Sequence, residues 1–133
     1  MKELKAWPEI PTLQNTAGLA LHDTTSFDLP ANWTAARRAH GLHLGEVFDS
    51  FTVTINNQAV AMDQISAEGD VGAFLKAGRN TIVVRVATTL NNRLTKLDEA
   101  VAQRGLVQPY GLVGPVVLTP YTQAVVWRKS AAK

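Results

Sequence analysis

The stretch Thr81-Ile82-Val83-Val84-Arg85-Val86-Ala87-Thr88 constrains this chain more than any other. It is almost wholly β-branched, and such side chains lose least freedom in an extended backbone. Ile82, Val84 and Val86 form one aliphatic face, while Val83, Arg85 and Ala87 form a mixed one. Apolar residues on both faces predict a central strand. Gly78 and Asn80 predict a turn before it, because both tolerate positive φ. After it comes the polar run Asn91-Asn92-Arg93, and then Leu94, expected to point back inward.

The rest of the chain supplies partners for that strand. Leu19 to Phe27 reads as a first strand, and Leu42 to Leu44 as a short one with His43 facing away from the leucines. Phe51, Val53 and Ile55 alternate with polar residues, and Asn56-Asn57 predicts a two-residue hairpin into Gln58 to Met62. Asp70 to Leu75 reads as one helical turn with Asp70 as its cap. Leu94, Leu97 and Val101 have helical spacing, which predicts a helix over Thr95 to Arg104, capped by Thr95 and ended by Gly105. Gln108 to Pro115 reads as a turn-rich loop, with last strands over Val116 to Leu118 and Thr122 to Trp127, broken at Pro120. Short strands joined by turns, with one or two minor helices, predict an all-β antiparallel sandwich or jelly roll. A parallel α/β sheet would need long amphipathic helices between its strands.

Several function classes are excluded early. The 133 residues favour one domain with one core, and 46% hydrophobic against 18% charged residues marks a folded chain. A net charge of +2, from scattered Lys and Arg, argues against nucleic acid as a partner. No apolar run approaches the roughly 18 residues a membrane span needs. The start, Met1 to Pro8, has no apolar core of a signal peptide. There is no cysteine, which removes disulfides and thiol chemistry. His22, His40 and His43 have no metal-ligand spacing and read as surface imidazoles. No nucleophile elbow or phosphate loop is present. Asn32-Trp33-Thr34 matches an N-glycosylation acceptor by chance.

Three passages in order carry a resemblance. Leu44-Gly45-Glu46-Val47 leads into Phe51 to Asn57; Asp70-Val71 leads through Leu75, Gly78 and Asn80 into Ile82-Val83-Val84; and Tyr110 to Leu118 precedes the last strands. Together they resemble the sugar-binding jelly-roll domain of family 2 glycoside hydrolases and the related domain of large bacterial enzymes of the α-L-rhamnosidase type. The resemblance covers roughly residues 7 to 121. It departs at the hairpin, Asn56-Asn57 for the usual Asn-Gly, and at Leu19 to His22, where an aromatic strand would be expected.

The resemblance implies a galactose-binding-like fold over residues 1–133, as one domain of a larger glycoside hydrolase. It implies a non-catalytic carbohydrate-binding or accessory module, with a glycan and the parent's catalytic domain as partners. A periplasmic or secreted parent is in keeping with it; the compartment stays open. Two other readings remain: a purely structural packing domain, and a domain lending one loop residue to a neighbouring active site. No cofactor is expected. Jelly rolls of this kind often carry a structural calcium, for which Asp23, Asp28 and Asp49 are the candidate ligands. No acidic pair can be placed across a cleft from sequence, so no catalytic residue is assigned. The candidate ligand site is Asn91, Asn92 and Arg93 with the aromatics Tyr110 and Trp33. Amides and guanidinium pair with sugar hydroxyls, and aromatic faces stack on sugar C–H faces. The competing reading has Asn91 and Arg93 bracing the 95–109 segment, and Trp33 sealing the sandwich end.

Overall fold

The computed structural model describes residues 4–13, 18, 20–33, 38–104, 109–122 and 124. The long strand is β7 (Gly78–Ala87), between β1 (Ala20–Leu29) and β4 (Ser50–Ile55), with β5 (Gln58–Val60) beyond β4. Every pairing in this sheet is antiparallel. The register sets Phe51 against Val86, Val53 against Val84 and Ile55 against Ile82. All six are buried, so the aliphatic face of β7 meets the core as its alternation requires.

A second layer faces this sheet. It contains β2 (Arg38–His43), flanked by β6 (Glu68–Asp70) and β9 (Val117–Thr122), and the separate pair β3 (Glu46–Phe48) with β8 (Gly111–Gly114). Leu42, Leu44 and Leu112 from this layer join Phe51, Val53 and Val86 in one core. The fold is an antiparallel β-sandwich with two short helices among the described residues, α1 (Asn91–Leu97) and α2 (Glu99–Ala102). Neither helix is long and apolar enough to cross a membrane.

Within residues 4–13, Trp7 joins the core and Leu4, Ile10 and Leu13 pack against it. Trp7 is 2% exposed, its N–H donates to the Tyr110 carbonyl at 3.0 Å, and its ring meets Tyr110 edge-on at 5.9 Å. Gly111 has φ +100°, and a Cβ there would come within 2.6 Å of the indole. The glycine is thus needed twice, for its backbone and for the ring above it.

The hairpin turn forms at Asn56-Asn57, with φ of 50° and 66°. Asn56 also leaves the turn sideways. Its Nδ2 donates to the Phe74 carbonyl and to Asn80 Oδ1, both at 2.9 Å, and its Oδ1 accepts from Thr81 N–H at 3.1 Å. Asn80 is fully buried and closes the Lys76–Gly78 turn on itself.

Several sequence expectations change, among them the loop over Gln108 to Pro115, which contains strand β8. The short strand expected over Leu42 to Leu44 starts earlier, at Arg38, and His40, expected at the surface, is buried in it. Pro120 does not break the last strand: β9 runs through it at the edge of its sheet, the place in a sheet where proline is tolerated. The helix over Thr95 to Arg104 is two: α1 starts at Asn91, and Asp98, extended at φ −132°, accepts from Ala100 and Val101 N–H to cap α2. Leu94 is 44% exposed and does not turn inward. Trp127 and Gly105 lie outside the described residues.

Edge strand β1 carries one residue that opposes its own burial. Asp23 pairs with Val84 and so points to the core side, where its Oδ2 is buried without a partner among the described residues. Desolvation raises its pKa above the ordinary 3.8. The folded state therefore holds this proton more tightly than the unfolded state. The cost of the ionised group is fully present above the folded pKa, fades as pH falls through it, and is gone below 3.8. Asp23→Asn is expected to melt a few degrees higher than the parent at pH 7, with the gap closing on acid titration. Thermal melts of both proteins across pH 3 to 8 check this, and a gap independent of pH would refute it.

Candidate functional site

The outer face of β6–β2–β9 follows from period-two alternation. Gly41 and His43 of β2, Glu68 and Asp70 of β6, and Thr119 and Tyr121 of β9 all point away from Leu42 and the core. With Asp63 and Ser66 from the preceding loop they line an open groove of about 510 Å³. Gly41 forms its floor, since a side chain there would touch the Tyr121 ring at 3.7 Å. Tyr121 is 43% exposed and offers an aromatic wall.

The polar groups of the groove are already oriented. His43 Nδ1 accepts from Gly45 N–H at 3.0 Å, so Nε2 carries the proton and faces Glu68 Oε1 at 3.8 Å. Asp70 Oδ1 accepts at 2.9 Å from the N–H of Gly72, the first residue of the 3-10 turn Gly72–Phe74, whose cap position is Val71 and not the expected Asp70. Desolvation, then the neighbouring Asp70 carboxylate, pushes the Tyr121 hydroxyl above its ordinary pKa. Asp63 Oδ1 accepts from Ile65 and Ser66 N–H at 2.7 and 2.8 Å, which holds its carboxyl below the usual range.

The same Asp63 shapes the loop beside the groove. Gln64 clamps Phe51 from both sides, Oε1 accepting its N–H at 3.3 Å and Nε2 donating to its carbonyl at 3.2 Å. A side-chain amide thus replaces a strand along β4. Ala67, at φ +56°, returns the chain, and its carbonyl accepts from Leu44 N–H at 3.0 Å. Ile65 at the tip is 98% exposed, over a second hollow of about 240 Å³ shared with Glu46 and Phe48.

The residues expected from sequence lie elsewhere and have different neighbours. Tyr110 is 4% exposed and its hydroxyl donates to the Leu13 carbonyl at 3.0 Å, so its ring has no face for a ligand. Trp33 is half-buried and stacked on His40, centroids 5.9 Å apart. That favours its role in closing the sandwich. His40 is 1% exposed, and neither ring nitrogen has a partner among the described residues. Asn91 and Asn92 open α1, with Asn91 N–H donating to Thr89 Oγ1 at 3.4 Å; Arg93 follows them and is exposed. Asp23 and Asp28 are five residues apart on one strand and so face opposite ways, while Asp49 accepts from Thr89 N–H at 3.3 Å. The three calcium candidates therefore do not converge, and no acidic or histidine cluster with metal-ligand geometry occurs among the described residues.

The groove residues were hard to see because they come from strands whose limits shifted. Glu68–Asp70 has no apolar pattern, and Tyr121 stands beyond Pro120, a residue type that disfavours strand interiors. The available signal was the parity of Val117, Thr119 and Tyr121 across Pro120.

No protein-family model matches the chain, and no curated protein matches it significantly. Solved structures do. A rhamnosidase from Novosphingobium sp. PP1Y superposes with TM-score 0.76 at 25% identity, over 91% of this chain and 13% of that one. A family 2 glycosyl hydrolase from Bacteroides cellulosilyticus gives TM-score 0.55 at 15% identity, over 77% and 12%. A β-D-glucuronidase from Dictyoglomus thermophilum gives 0.51 at 21%, over 62% and 14%. The chain thus spans about an eighth of the length of these enzymes. In strand arrangement it is similar to one domain-sized part of a rhamnosidase and of a family 2 glycosyl hydrolase.

Proposed function

We propose that this chain is a non-catalytic carbohydrate-binding module of a glycoside hydrolase, and that the groove on β6–β2–β9 is its glycan site. The observation that supports it is the half-exposed Tyr121 ring standing over a glycine floor, with oriented polar groups on both sides. A sugar presents C–H faces to such a ring and hydroxyls to such groups. The likeness to single domains of much longer glycoside hydrolases supports an accessory role. The groove carboxylates support it as well. Glycoside hydrolysis needs one carboxyl raised toward neutrality as an acid. Asp63 is shifted the other way, while Asp70 Oδ1 accepts from Gly72 N–H.

Tyr121→Ala is expected to weaken glycan binding roughly tenfold or more, since the stacking face is lost. The ring is exposed, so the melting temperature should move little. Affinity electrophoresis against glycans bound by the parent chain measures the first, and a thermal melt the second. Unchanged retention by a folded variant would remove the groove from the site.

A second reading has its own observation. Leu90, Leu94 and Leu97 are 53%, 44% and 72% exposed and recur at helical spacing along α1. Such a stripe suits packing against the catalytic domain of a parent enzyme. If no glycan binds, this structural role is the one that remains.

A further inference from the structure

We propose that the groove takes neutral glycans and rejects those that carry carboxylates, a selectivity that rests on the carbohydrate reading above. Two independent properties of the lining lead there.

The first is charge. Asp63, Glu68 and Asp70 line the groove, and no Lys or Arg does so among the described residues. Its one imidazole faces Glu68 at 3.8 Å, so the nearest source of positive charge is already opposite a carboxylate. A uronate in this groove would place a like charge within a few ångströms of several carboxylates, with no guanidinium to receive it.

The second is hydrogen-bond polarity. Ionised carboxylates only accept. The His43 Nε2 proton faces Glu68, and His43 Nδ1 is occupied by Gly45 N–H. Ser66, Thr119 and Tyr121 contribute hydroxyls that donate or accept. The lining is therefore rich in acceptors and poor in free donors, and its ligand must supply donors. Sugar hydroxyls do. A carboxylate, itself only an acceptor, does not. Enzymes described as glucuronidases share the fold, but at identities near 20% that likeness carries no substrate class to this groove.

The test uses the 133-residue chain and matched oligosaccharide pairs that differ only at C6, hydroxymethyl against carboxylate: cello-oligosaccharides with cellouronates, and galactose with galacturonate oligomers. The neutral member should bind about tenfold tighter or more at low salt. The ratio should narrow in 0.5 M NaCl, where the Debye length falls to roughly 4 Å. Glu68→Gln, which removes a charge without removing a backbone cap, should narrow it too. Equal or tighter binding of the uronate member overturns this inference alone. A ratio that Glu68→Gln and salt both leave unmoved places the discrimination elsewhere and overturns it as well. No binding to either member of any pair overturns the carbohydrate reading, and this inference with it.

Discussion

Trp7→Ala is expected to destabilise the domain by about 3–5 kcal/mol, lowering the melting temperature by roughly 10–20 °C. The indole is almost fully buried and caps the sandwich beside Tyr110. It stands over Gly111, which has no side chain to fill the space left behind. The cavity therefore stays open, because refilling it would require β8 to shift at its first residue. Trp7→Phe should recover more than half of the loss, since most of the buried area returns. Differential scanning calorimetry on the three proteins decides the matter. A loss near 1 kcal/mol for Trp7→Ala would mean that residues 4–13 pack only superficially.

Asn80→Ala is expected to cost about 3 kcal/mol or more, although the side chain contributes no apolar area. Asn80 Oδ1 accepts from Lys76 N–H at 3.0 Å and from Asn56 Nδ2 at 2.9 Å. Its Nδ2 donates to the Lys76 and Gly78 carbonyls at 2.7 and 2.9 Å. Truncation strips four part-buried hydrogen bonds from the turn at once, and a part-buried group left without its partner costs more than it gained by pairing. Asn80→Asp separates this cause from simple loss of volume. It retains the accepting oxygen but replaces the two donations to carbonyls with repulsion. It should therefore be destabilised as much as the alanine variant at neutral pH. Urea unfolding gives both values from the shift in midpoint at constant slope. An aspartate variant as stable as the parent would show that the two donated bonds contribute nothing.

These two residues show what sequence could and could not disclose. Asn80 was legible as a turn residue, because glycine at 78 and a β-branched run at 81 bracket it; its link to Asn56 was not, because that bond spans 24 residues. The aliphatic face of β7 and the Asn56-Asn57 hairpin were legible because both are local patterns. Tyr110 read as a loop aromatic beside polar residues. Only the docking of Trp7, about a hundred residues earlier in the chain, makes it a core residue. Tyr121, Asp70 and His43 share a surface only because β6 and β9 flank β2, and no spacing in the chain encodes that order.

The loop at residues 63–67 has a further consequence for how this domain can change. Its path is held by Asp63, Gln64 and Ala67, and none of those constraints passes through the side chain of Ile65. The crest residue is therefore decoupled from the scaffold beneath it. Evolution or an engineer can rewrite that one position, beside two hollows, and alter what the surface meets without disturbing how the protein folds.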